Sequence, residues 1–97
     1  MKIEKNLQNK TLTLTLSGRL DTVSAPELER EISNLSGITD LVFDFKNVEY
    51  VSSAGLRVIL KAQKIMNAQG SMKLINVSDD VAEIFDITGF SDILVIE

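Results

Sequence analysis

Thr11-Leu12-Thr13-Leu14-Thr15-Leu16 alternates without a fault between a hydroxylated and an apolar side chain. A period of two sends the three leucines to one face of a strand and the three β-branched threonines to the other, so the segment reads as a half-buried β-strand. Such a strand needs neighbours in a sheet and a cover for its leucine face. Residues 3–7 are predicted to supply the first neighbour, with Gln8-Asn9-Lys10 as the hairpin connection and Ser17-Gly18 ending the alternation.

Helical periods follow. Ser24-Ala25-Pro26-Glu27 has the spacing of a capping box with Pro in the first turn, Leu28, Ile32 and Leu35 recur on one helical face, and Gly37 is a stop signal. Residues 41–45, Leu-Val-Phe-Asp-Phe, are apolar on both sides of Asp44 and predict a central strand covered on both faces. The longest helix is predicted over 53–69. Gly55, Val58, Ile59, Ala62, Ile65 and Met66 share its inner face, Arg57, Lys61 and Lys64 lie outside, and Gly70 closes it. A strand over 72–75, a short helix opened by Asp79-Asp80 and ended by Gly89, and an edge strand over 93–96 complete the chain. The order β-β-α-β-α-β-α-β implies an α/β fold: one domain over 1–97, a mixed sheet with an antiparallel hairpin and later parallel strands, and helices on one or both faces.

With 97 residues and neither Cys nor His, the chain has no thiol or imidazole chemistry and no usual zinc or haem ligands. Ten basic against 14 acidic residues, net −4, disfavour non-specific nucleic-acid binding. No apolar run is long enough for a membrane span, and the amino terminus lacks the apolar core of a signal peptide, so a cytoplasmic protein is expected, without nucleic-acid or membrane partners.

The loop between the third strand and the long helix holds the main functional candidates. Ser52 and Ser53 stand at a helix start, where a hydroxyl is either a plain cap or a phosphorylation site favoured by the electropositive helix end. Asp21, past the alternating strand, and Asp44, near the carboxyl end of the 41–45 strand, are expected at the sheet edge where α/β sites gather. As a catalytic set these groups are poor, since none is a base near neutrality. The serine loop lacks the glycine spacing and Lys of a phosphate-binding loop, and there is no dinucleotide fingerprint. Arg57, Lys61 and Lys64 form a basic ridge, read either as a solvated helix face or as a docking surface for an acidic partner. Met66, Met72 and Phe90 are assigned to core packing.

The segments Gly18-Arg19-Leu20-Asp21, Leu41-Val42-Phe43-Asp44-Phe45 and Tyr50-Val51-Ser52-Ser53-Ala54-Gly55-Leu56-Arg57-Val58-Ile59-Leu60 resemble those of the STAS domain, and more narrowly the bacterial anti-sigma factor antagonists, over essentially the whole chain. The resemblance implies a non-enzymatic, cofactor-free partner-switching protein. Its unphosphorylated form would bind a serine-kinase anti-sigma factor of the GHKL type, phosphorylation at the helix start would end the binding, and a PP2C-type phosphatase would restore it. One common family pattern is Asp-Ser-Ser/Thr-Gly-Leu; with Gly55-Leu56 aligned, Ala54 occupies the slot of its phosphorylated residue. A sister pattern, Ser-Ala-Gly-Leu-Arg, moves the expected site to Ser53, with Ser52 as the alternative. Taken with the basic ridge read from the residues themselves, the expected partner surface comprises Asp21, Asp44, Ser52, Ser53, Ala54, Gly55, Leu56, Arg57, Lys61 and Lys64. The other reading is a non-switching STAS-type subunit that binds a ligand or supports a larger sensory or transport assembly.

Overall fold

The computed structural model describes residues Met1–Glu97. Its sheet has four strands in the order β1-β2-β3-β4: β1 Lys2–Gln8, β2 Thr11–Leu20, β3 Asp40–Val51 and β4 Ser71–Ile75. β1 pairs antiparallel with β2 through the Asn9-Lys10 turn, where Asn9 takes a φ of 57°, and β2-β3 and β3-β4 are parallel. Three helices connect or follow the strands: α1 Ala25–Ile32, α2 Ser53–Asn67 and α3 Asp79–Ile87.

The alternation in β2 works as the sequence predicts. Leu12, Leu14 and Leu16 are buried while Thr11, Thr13 and Thr15 are half-buried. Leu41, Phe43 and Phe45 of β3 and Met72 and Leu74 of β4 continue the same apolar face. Onto it pack Leu28 and Ile32 of α1, Val58, Ile59, Ala62 and Met66 of α2, and Val81 and Phe85 of α3. At the centre Phe43 meets Phe45 edge-on at 6.3 Å between ring centroids, and Phe45 meets Phe85 at 6.1 Å. Phe90 packs half-buried against this core, as expected.

The helices lie on one face only, which corrects the expectation that β3 is covered on both. The opposite face, with Thr13, Thr15, Val42, Asp44, Lys73 and Ile75, is half-buried. Val42 is apolar there without a helix above it.

Two strands run further than their apolar patterns. β2 continues past Ser17-Gly18 to Leu20, and β3 past Phe45 through the polar Lys46-Asn47 to Val51. Register shifts at Thr15/Ser17 and Gly18/Arg19 keep the two paired as far as Leu20↔Val51. The second shift uses Gly18 at a φ of +104°, a bulge conformation that costs a residue with Cβ. The extension delivers Asp21 and Ser52 to neighbouring positions beyond the sheet.

Three further expectations are corrected. Residues 93–96 form no strand: a 3-10 turn, Phe90–Asp92, leads into a single parallel bridge, Leu74↔Ile96, held by Leu74 N–H to Val95 C=O at 2.9 Å and Glu97 N–H to Leu74 C=O at 2.8 Å. α1 ends at Ile32, so Leu35 is buried from the following loop and Gly37 lies beyond the helix. Ser24 makes no side-chain cap at α1, because its hydroxyl is committed elsewhere.

Candidate functional site

The carboxyl ends of β2 and β3 and the amino ends of α1 and α2 meet at one edge of the sheet. The Ser52 N–H donates to the Leu20 carbonyl at 2.8 Å, tying the serine loop to the end of β2. Gly55, in the first turn of α2, lies against the same residue. A Cβ there would stand 2.6 Å from Leu20 Cγ and 2.8 Å from the Leu20 carbonyl oxygen. Only glycine allows this approach, and it brings the turn carrying Asp21 beside the start of α2.

The two serines have separate environments. Ser52 is the N-cap, extended at φ −88° and ψ 173°, and its side chain accepts from the Gly55 N–H at 3.3 Å. Ser53 is the first helical residue, exposed, with no hydrogen bond to its hydroxyl within the chain. One serine is used by the fold and the other is free.

Asp21 organises the adjoining turn. Its Oδ1 accepts from the N–H groups of Val23 and Ser24, each at 3.1 Å, and its own N–H donates to Ser24 Oγ at 2.9 Å. The Ser24 hydroxyl donates to the Arg19 carbonyl at 2.6 Å, and this bond takes it away from capping α1. Asp21 thus takes the Ser24 N–H that the capping-box spacing assigned to Glu27, while the Glu27 N–H goes to the Ser24 carbonyl at 3.0 Å. Arg19 is 3.9 Å from Asp21 Oδ2 and its guanidinium lies 4.5 Å from the centre of the Tyr50 ring.

The Ser24 N–H bond, opposed by partial desolvation and reinforced by the Ser24 hydroxyl, the Val23 N–H and Arg19, holds the Asp21 carboxyl below its ordinary pKa. A lowered carboxylate stabilises the fold above its unfolded pKa and loses that contribution as pH falls through the folded one. Asp21→Ala is therefore expected to be less stable than the parent at pH 7, with the gap closing below about pH 4. Urea midpoints of both proteins across this range check it, and a gap independent of pH would contradict the carboxylate's role.

The other expected site residues are dispersed. Asp44 sits in mid-strand rather than near the carboxyl end of β3, because the strand continues to Val51. Its Oδ1 accepts from the Lys46 N–H and from Asn76 Nδ2, both at 3.0 Å, and no hydrogen bond joins it to the serine loop. Lys61 is paired with Glu29 of α1 at 3.0 Å. Arg57 and Lys64 are exposed without ion pairs, Ala54 is half-buried, and Gly55 and Leu56 are buried. Sequence reasoning missed Val23, which is 84% exposed in the Asp21 turn, and the Arg19–Tyr50 stack. The signal for Val23 was an apolar residue outside the Leu28-Ile32 stripe in an otherwise polar turn.

Two shallow grooves, of about 390 and 370 Å³, lie over the amino ends of β2–β4 and between β1 and α1, away from the serines. The serine edge is a surface, not a cleft. No group of three or more acidic side chains is placed to hold a metal ion, and no helix is long and apolar enough to cross a membrane.

A model of the STAS domain family matches residues 2–97. The chain belongs to the STAS domain family. Within it the chain is 30% identical over 97 residues to the anti-sigma-B factor antagonist of Staphylococcus aureus, covering 97% of this chain and 90% of that protein. It is 33% identical over 96 residues to the anti-sigma-B factor antagonist of Bacillus subtilis, covering 97% and 88%. These relatives place this STAS protein among the anti-sigma factor antagonists. Its fold matches that of the anti-sigma factor antagonist SpoIIAA in the unphosphorylated form, with a TM-score of 0.85 at 20% identity over 99% of this chain and 88% of the other. Phosphorylated SpoIIAA from Bacillus matches with a TM-score of 0.77 at 19% identity, covering 99% and 91%.

Proposed function

We propose that this STAS protein is a cytoplasmic partner switch. Unphosphorylated, it binds a serine-kinase anti-sigma factor of the GHKL type through the surface around Ser53. Phosphorylation of Ser53 releases the partner, and a PP2C-type phosphatase resets the switch. The observation that carries the choice of residue is the free, exposed hydroxyl of Ser53 beside a Ser52 already used as the cap.

The surface offered to the partner comprises Asp21 and Val23 from one turn and Ser53, Ala54 and Arg57 from the start of α2, with Lys64 farther along the same helix; Gly55 and Leu56 support it from below. Asp44 and Lys61 have partners within the chain. A phosphate adds about −1.5 to −2 charge at pH 7. Near the turn that carries the Asp21 carboxylate it adds bulk and makes sharply more negative a surface that has to make close contact. The helix end accommodates it without a change of fold, in keeping with the likeness to both forms of SpoIIAA.

Alanine variants separate the serines. Ser52→Ala is expected to lower stability by about 1 kcal/mol through loss of the cap while remaining a kinase substrate. Ser53→Ala should leave stability within about 0.5 kcal/mol of the parent and abolish phosphate incorporation. Urea unfolding reads the first property, and intact mass after incubation with the cognate kinase and ATP reads the second. A phosphate retained by Ser53→Ala and lost by Ser52→Ala would overturn the assignment.

A further inference from the structure

We propose that Arg57 is the built-in counter-charge for a phosphate on Ser53, holding it along the exposed ridge of α2. This deepens the reading above and rests on Ser53 being the modified residue. Arg57 follows Ser53 by four positions, one helical turn, so the two side chains share a face. Helical side chains tilt toward the amino terminus, which aims the long Arg57 chain back over Ser53. An acidic group four residues before a basic one is also the more favourable order for such a pair.

The neighbouring cations are less suited. Lys61 is held by Glu29 at 3.0 Å, and Arg19 lies over the Tyr50 ring and near Asp21. Lys64 is on the same helix but about 16 Å farther along its axis. Arg57 is exposed and has neither an ion pair nor an aromatic partner. A guanidinium also matches the oxygens of a phosphate better than an ammonium, through paired N–H donors in one plane.

With Arg57 in place, the phosphate is drawn onto α2 and away from the Asp21 carboxylate and is held as the dianion at neutral pH. The phosphorylated state then presents a phosphate biased toward Arg57 rather than a charge spread evenly over its rotamers. Ser53 supplies the attachment and Arg57 the orientation, so Arg57 acts as a positioning residue.

The test uses full-length protein with phosphoserine installed at position 53 by genetic code expansion, verified by intact mass, and titrated by phosphorus NMR. The second phosphate pKa is expected to be lower in the parent than in Arg57→Ala by about 0.2–0.4 unit, the size of an exposed pair one turn apart. Arg57→Lys should recover at least half of the difference. Equal pKa values in the parent and Arg57→Ala, or no recovery in Arg57→Lys, would overturn the proposal. The phosphate is installed without a kinase, so this result is independent of which serine the kinase selects; mapping kinase-treated protein decides that separately.

Discussion

Phe45→Ala will cost about 3–5 kcal/mol, the range for emptying an aromatic site in a packed core. Phe45 is fully buried and touches both other rings of the aromatic row, Phe43 on its own strand and Phe85 on α3. Its removal opens a cavity between β3 and α3 and takes away two aromatic pairs, each worth about 0.5–1.5 kcal/mol beyond buried area. Domains of this size have total stabilities of about 5–15 kcal/mol, so the variant will be marginal at physiological temperature. Urea unfolding should show an early midpoint, and Phe45→Leu should recover a large part of the loss. A cost below about 1 kcal/mol would mean that the ring row does not hold β3 to α3.

Gly55→Ala sets two effects of opposite sign against each other. Helix propensity favours Ala over Gly by about 1 kcal/mol within a helix. The added Cβ, however, would lie 2.6 Å from Leu20 Cγ and 2.8 Å from the Leu20 carbonyl oxygen, the same oxygen that accepts the Ser52 N–H. Overpacking costs about 1–3 kcal/mol, and a backbone atom cannot rotate aside. The net expectation is a loss of about 0–2 kcal/mol, toward the upper end because the clash includes backbone, with roughly 4–8 °C in melting temperature per kcal/mol for a domain of this length. The serine loop should be displaced from β2 as well, so partner affinity falls even when the variant is folded. A rise in melting temperature would show that the contact between α2 and β2 can relax freely.

Most of the architecture could be read from periodicity. Strict alternation marked β2, and the spacing of Val58, Ile59, Ala62 and Met66 marked the buried face of α2. Features that depend on pairing between distant segments were not legible. Residues 93–96 are all apolar, but only Leu94 is buried, and the segment meets β4 through Leu74 alone. The polar Lys46-Asn47 hid the continuation of β3, which bulged pairing with β2 sustains. That continuation places Asp44 in mid-strand, bonded to Asn76, where the short apolar pattern suggested a strand end.

The site itself was half legible. The sequence placed two serines at a helix start, and spacing could not divide their roles. The division comes from tertiary contact: Leu20 fixes Ser52 as the cap, and Ser53 is left exposed. The Ser24-Glu27 spacing likewise fits a capping box, yet Asp21, three residues earlier, takes the local N–H groups. A local motif yields when a nearby carboxylate offers the backbone stronger acceptors.

A phosphate on Ser53 is expected to change affinity and not fold. The direct measurement compares the unmodified protein with the protein carrying phosphoserine at position 53, each titrated against the proposed partner, a serine-kinase anti-sigma factor from the same cell, with circular dichroism recorded on both. Superimposable spectra are expected, with an affinity at least about 100-fold weaker for the phosphorylated form, corresponding to the loss of about 2.7 kcal/mol at a closely packed charged contact. Equal affinities, or a phosphorylated protein that has lost its helical signal, would contradict that expectation.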